Sequence, residues 1–312
     1  MNKKKIFIIV SAILLTVLIG LGTFFIVRAC QNRVSFNVED TLPDGQGKKA
    51  TVIILGGQSN ASGCSRDEYL KKNVSKEKYA EYENGYDNVY INYYVSDMNI
   101  SHGFVKCSVR QGELGDCFGP ELGLAEKLHE EYPDENFFII KCAWGGTNLF
   151  KQWLSPSSKG KTGKMYRTFE AFVKSSVKYL EKKNYDIEIA GMCWMQGESD
   201  SFSVKNATDY KENLTNLIKD VREKFNRYAS DDGIAFIDAY IADNPVFWVY
   251  CDIVNEKKRE VSEMSDINFI VDTSSLICTE EPEGNPDIPH YDSMSEIKLG
   301  NMFAEEVIKF LK

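Results

Sequence analysis

The sequence predicts an α/β protein, a parallel sheet with helices on both sides, carried behind an N-terminal membrane helix. Three observations predict it. From residue 51 onward, short apolar β-rich runs alternate with helical patterns, the signature of strand–helix–strand units. Several of those runs, such as FFIIKCA at 137–143, are apolar without alternation, as strands buried on both faces are. Residues 6–27 carry no charge at all.

The N-terminal run of 22 residues spans about 33 Å as a helix, enough to cross a hydrocarbon core of about 30 Å. Lys3, Lys4 and Lys5 precede it, so the positive-inside rule keeps the N-terminus cytoplasmic and sends the remainder outside. The run exceeds the usual core of a cleaved signal peptide, which favours an uncleaved, single-pass signal anchor over residues 1–30. Residues 27–30, VRAC, offer a rival, a lipoprotein cleavage box with Cys30 as the lipidated residue; Arg28 stands where such a box has a small or apolar side chain. Residues 31–49 are polar, with Pro43, Gly45 and Gly47, and are expected to be a stalk. The domain is expected over residues 50–312.

Its strands are expected at 51–55, 88–95, 137–142, 187–195, 234–240 and 267–271. Between them, Phe169, Phe172, Val173, Ser176, Val177 and Leu180 form one stripe of helical period. Tyr210, Leu214, Leu217, Ile218, Val221 and Phe225 form another. The last helix opens on a capping box, Ser293 with Glu296 three residues on.

Charge and motif content exclude several functions. The chain holds 37 basic and 46 acidic residues, and beyond residue 30 the balance is −13. A body that acidic gains nothing from counterion release, so nucleic acid is not an expected partner. Eight cysteines are too few for a disulfide scaffold and none forms a CxxC pair, so neither a zinc site nor any other metal is expected. Cys107 and Cys117 flank a loop and could pair outside the cell. The GKT at 160–162 has Ser155 where a phosphate loop has its first glycine, and it follows no strand, so no nucleotide cofactor is called for.

Sites in open parallel sheets lie beyond the carboxyl ends of the strands. The first strand runs into Gly57-Gln58-Ser59-Asn60, a tight turn into a helix that would present Ser59 as a nucleophile beside free N–H groups, or as a plain helix cap. A nucleophilic serine needs a base. Of the three histidines, His129 closes a helix and His102 has no acid placed to orient it. His290 follows Asp287 by three residues in a segment stiffened by Pro286 and Pro289, so the carboxylate can hold Nδ1–H and leave Nε2 for the serine. Gly145, Gly146, Thr147 and Asn148 follow the third strand; Gln196 and Glu198 follow the fourth, where burial is costly unless they are paired. Gly119 precedes Pro120 at the start of a helix, where a substrate can approach its N–H.

Together these motifs resemble the SGNH hydrolases, and within them the sialate O-acetylesterase and acetylxylan esterase branch. GQSN at 57–60, FGPE at 118–121, GGTN at 145–148, WMQGESD at 194–200 and DIPH at 287–290 occur in the branch's order. The resemblance implies a three-layer α/β/α sandwich and a metal-free, cofactor-free Ser-His-Asp esterase. Ser59 would be the nucleophile, His290 the base and Asp287 its orienter. The oxyanion would be held by the Ser59 and Gly119 N–H groups and the Gln196 amide. Gln58, Asn60, Gly146, Thr147 and Glu198 would bind substrate or organise the site. The expected substrate is an acetylated carbohydrate outside the cell: sialic acid, xylan or envelope glycan. The alternatives are an inactive glycan-binding protein on the same fold, or an esterase for a non-carbohydrate ester.

Overall fold

The computed structural model describes residues 34–96, 99–278 and 281–311. The expected anchor at 6–27 and Cys30 lie outside them. Among the described residues no helix is long and apolar enough to cross a membrane. The chain divides between Ser35 and Phe36, and the following concerns the unit from Phe36 onward.

In chain order the strands are β1 (Lys49–Gly57), β2 (Ser65–Arg66), β3 (Val89–Ser96), β4 (Asn99–Ile100), β5 (Val105–Lys106), β6 (Cys117–Phe118), β7 (Phe137–Ala143), β8 (Asp186–Met195), β9 (Ala235–Ala239) and β10 (Asn268–Val271). The helices are α1 (Ser59–Ser62), α2 (Asp67–Asn73), α3 (Lys76–Asn84), α4 (Glu121–Glu131), α5 (Lys164–Lys182), α6 (Val204–Phe225), α7 (Cys251–Ser262) and α8 (Ser293–Leu311). The main sheet has the order β10-β9-β8-β1-β7-β3-β4. It is parallel from β10 to β3; β4 and β5 pair antiparallel with β3 at the edge. All six strands expected from the apolar runs are present. Val52, Ile53, Ile54 and Leu55 in β1 have no exposed surface, so side chains pointing either way from the central strand are covered.

Residues 36–48 are not a free stalk. Phe36 and Val38 pack on the core and Leu42 is buried within it. The Phe36 ring meets Tyr94 and Phe172 edge-on, each at 5.1 Å. The Thr41 and Leu42 N–H groups donate to the Tyr179 hydroxyl at 3.0 and 2.8 Å. Three apolar side chains in a polar stretch, with Tyr179 to receive the backbone, bind residues 36–48 to the domain. Cys107 and Cys117 are separate buried thiols: Cys107 Sγ donates to the Glu121 carbonyl at 3.4 Å, and Cys117 Sγ to Asp116 Oδ1 at 3.6 Å.

Two glycines bring the last helix against α4. A Cβ on Gly123 would stand 2.0 Å from the Ile297 carbonyl oxygen, and one on Gly300 2.1 Å from that of Pro120. Backbone-to-backbone packing of α4 on α8 thereby fixes the helix that follows His290.

Candidate active site

The carboxyl ends of β1, β7 and β8 lie side by side and run into the motif loops. Gly57 pairs in register with Ala143 on one side and Met195 on the other. A Cβ there would stand 1.9 Å from the Met195 carbonyl oxygen, and φ is +142°, so only glycine allows β8 this close to the turn. Ser59 follows as the first residue of α1 and is 8% exposed. In the first turn its N–H has no preceding carbonyl to bind.

Asn60 joins three parts of the site. Its Oδ1 accepts the Tyr291 N–H at 3.2 Å, and its Nδ2 donates to Glu198 Oε1 at 3.1 Å. Ser65 Oγ donates to the Tyr291 carbonyl at 2.5 Å. Ser59 and His290 are thus each one residue from the same contact, although 231 positions separate them in the chain. His290 Nδ1 lies 2.7 Å from Asp287 Oδ2, and the His290 N–H donates to the Asp287 carbonyl at 3.0 Å, the turn that the three-residue spacing requires. A cavity of about 330 Å³ opens beside this pair, bounded by Ser65, Tyr69, Pro286 and Tyr291.

Gln196 is placed otherwise than expected. It has no exposed surface, and its Nε2 lies against Asp200 Oδ2 at 2.7 Å and against Gln58 Oε1 and the Thr147 carbonyl, both at 3.2 Å. Its Oε1 accepts the Tyr210 hydroxyl at 3.0 Å. Every polar atom of this amide is engaged beneath the loop. Gly119 is engaged in the same way. Its N–H donates to Glu121 Oε1 at 2.9 Å, and Glu121 Oε2 accepts Lys141 Nζ at 2.6 Å in a pair with no exposed side-chain surface. Gly119 packs against Gly63, and a Cβ would stand 2.7 Å from the Gly63 Cα.

The other residues brace the floor. Gln58 Oε1 accepts the Ser199 N–H at 3.2 Å besides the Gln196 amide. Thr147 Oγ1 donates to the Trp144 carbonyl at 2.6 Å and accepts from Trp153 Nε1 at 2.8 Å. Asp200 accepts the Leu149 and Phe150 N–H groups at 2.8 and 3.1 Å, and burial pushes its carboxyl up to about 6. Burial also raises the Glu198 carboxyl, whose Oε2 has no partner. Asp238, raised to about 6 by burial, pairs with Lys258 at 2.6 Å. Gly146 is exposed at a φ of +66° with open space around it.

Two participants escaped the sequence reading. Glu113 Oε2 accepts Ser62 Oγ at 2.6 Å, and its carboxylate lies against Gly145 at the cleft. Nothing in its sequence surroundings marks it. Lys141 did leave a signal, a charge inside an apolar strand, but its partner Glu121 is 20 residues away.

An open α/β sheet with a serine turn and a histidine–aspartate pair at its carboxyl edge defines an ester-hydrolase type of protein. Residues 49–309 match the family described as carbohydrate esterase, sialic acid-specific acetylesterase, and the chain belongs to that family of carboxylic ester hydrolases. A curated relative, "Probable carbohydrate esterase" of Arabidopsis thaliana, is 29% identical over 110 residues. That match spans 35% of this chain and 37% of the relative. Among solved structures, an Arabidopsis thaliana protein superimposes with a TM-score of 0.60 at 19% identity, over 86% of this chain and 99% of that one. NanS gives 0.63 at 13% identity, over 87% and 99%. A carbohydrate acetylesterase from Xanthomonas citri gives 0.58 at 14% identity, over 82% of this chain and 55% of the other. At these identities the likeness is one of fold.

Proposed function

We propose that the protein removes O-acetyl groups from a carbohydrate by acyl transfer through Ser59, on a three-layer α/β/α sandwich. Ser59 Oγ attacks the acetyl carbonyl as its proton passes to His290 Nε2. Asp287 holds Nδ1–H and stabilises the imidazolium. The tetrahedral oxyanion is received by the Ser59 N–H and the exposed backbone at Gly146. Collapse expels the sugar oxygen, which takes the proton from His290, and leaves acetyl-Ser59. Water then attacks the acyl group, gives its proton to His290, and releases acetate and free Ser59. The observation that carries this reading is the Asn60 bridge, which brings the segment of His290 to the turn of Ser59.

Lys3, Lys4 and Lys5 before the uncharged run at 6–27 support a domain held outside the cytoplasm by a single span. Protease added to intact cells would then remove the domain; full protection and a cytosolic fraction would reverse that topology. Acetate release is measured with wild-type protein and Ser59→Ala on acetylated xylan, O-acetyl sialic acids and peptidoglycan fragments. Ser59-dependent release from at least one glycan is expected. Release only from non-carbohydrate esters, or equal release by both proteins, contradicts the reading.

A further inference from the structure

A second cavity, of about 580 Å³, lies at the ends of β9 and β10, outside the residues assigned to the acyl transfer. Its walls include Tyr240, Asp243, Asn244, Asp252, Asp272 and Thr273. The place follows from the sheet order: β9 is two strands and β10 three strands from β1, about 10 and 14 Å across at the usual strand spacing. The cavity therefore opens on the same carboxyl edge as Ser59. An oligosaccharide bridges that separation and a single sugar does not.

Its framework is fixed by hydrogen bonds. The Tyr240 N–H donates to the Val271 carbonyl at 3.1 Å, and Thr273 Oγ1 to the Tyr240 carbonyl at 3.0 Å. Asn255 clamps Ile241 from both sides, accepting its N–H and donating to its carbonyl, each at 2.9 Å. The segment after Tyr240 also joins the loop after β8, where the Tyr250 N–H donates to the Ser201 carbonyl at 3.0 Å. That wall continues outward into aromatic surface. Phe202 is 60% exposed, and its ring lies 5.5 Å from that of Trp248.

The lining chooses the ligand. Carboxylates and amides offer acceptors to hydroxyl groups, Tyr240 adds an aromatic side chain to the lining with Trp248 and Phe202 on the surface beyond it, and the lining includes no lysine, arginine or histidine. An anionic sugar would meet three carboxylates without a compensating cation. Among the described residues no acid cluster is arranged to hold a metal ion. We infer that this cavity is a distal subsite for a neutral sugar unit of the same glycan whose acetyl group reaches Ser59. The link to acetyl removal rests on the function proposed above; the cavity's binding of a neutral sugar does not.

The test uses the full-length chain carrying Ser59→Ala, with unacetylated xylo-oligosaccharides from the monosaccharide to the pentasaccharide as probes in titration calorimetry. Affinity is expected to rise with length, and to fall about tenfold for the longer probes in Asp243→Ala and in Asp252→Ala. Both side chains are exposed; Asp243 also accepts the Cys251 thiol at 3.5 Å, so the melting temperature of each variant is measured alongside. A sialylated oligosaccharide of equal length is expected to bind at least about tenfold more weakly than the neutral one. With Ser59 restored, both variants should hydrolyse an aryl acetate as the wild type does. Affinity independent of length, unchanged affinity in the variants, or equal binding of the anionic probe overturns the subsite. Loss of aryl acetate turnover in the variants overturns it as well. If the wild type hydrolyses no ester while the length dependence and its loss persist, the acyl-transfer reading fails and the subsite stands.

Discussion

The two sides of the cleft are built differently. On the floor side, Gln58, Gln196, Glu198 and Asp200 are at most 2% exposed; Gln58, Gln196 and Asp200 hold one another and the adjoining backbone, and Glu198 accepts Asn60. On the other side, the Asp287 side chain is 51% exposed and that of His290 23%. Polar groups taken out of water are costly unless bonded, and the bonds among Gln58, Gln196 and Asp200 leave that side little freedom to answer a substrate. The partly exposed pair keeps water within reach. A residue's place in a motif therefore marks where it lies in the cleft, while the bonds its side chain already makes mark how much freedom it keeps there.

Substitutions on the two sides should differ in what they damage. The largest loss is expected for His290→Ala, about 10³-fold in kcat on an aryl acetate, with the melting temperature held; turnover near wild type would remove His290 from the chemistry. Glu198→Ala leaves Asn60 Nδ2 unpaired and loosens the bridge between Ser59 and His290. It should cost about 1–3 kcal/mol of stability and lower kcat by about 10–100-fold. Glu198→Gln keeps the accepting oxygen and should restore both quantities; failure of that rescue would require a charge at this position.

Asp287→Asn probes the exposed side. Water already reaches half of this carboxylate, so its loss should lower kcat only about tenfold, without the far larger deficit that follows when such an acid is buried. A deficit of about 10⁴-fold would mean that Asp287 acts as a buried orienting acid does, and would erase the contrast. The smallest kinetic effect belongs to Gln196→Ala. Its removal unpairs Asp200, Gln58 and Tyr210, for a stability loss of about 2–4 kcal/mol, while turnover per folded molecule stays within about threefold of wild type. A loss of about 10²–10³-fold in kcat with unchanged melting would return Gln196 to the oxyanion hole.

The sheet was legible in the sequence because a strand buried on both faces is mostly apolar without alternation, and 137–142 and 187–195 have that pattern apart from Lys141 and Glu188. The Asp287 and His290 pair was legible because three residues and two prolines suffice to bring it together. Long-range choices were not. Phe36, Val38 and Leu42 look like incidental apolar residues in a linker until Tyr179 is seen to receive the backbone beside them. Gly119 and Gln196 sit where a donor to substrate could be, but hydrogen bonds to Glu121 and Asp200 take up those donors. Glu113 reaches the cleft from a loop without regular pattern, and only the folded chain brings it to Ser62 and Gly145.

The central claim is that Ser59 is the nucleophile, and covalent labelling tests it most directly. Wild-type chain is treated with an organophosphonate ester, digested, and the modified residue identified by peptide mass spectrometry, with Ser59→Ala and His290→Ala treated in parallel. One phosphonate per chain, on Ser59, is expected in the wild type, with loss of acetate release in step with labelling. None is expected in Ser59→Ala, and labelling slowed by about 10²-fold or more in His290→Ala. A label on any other residue, or full loss of activity with Ser59 unmodified, would contradict the account.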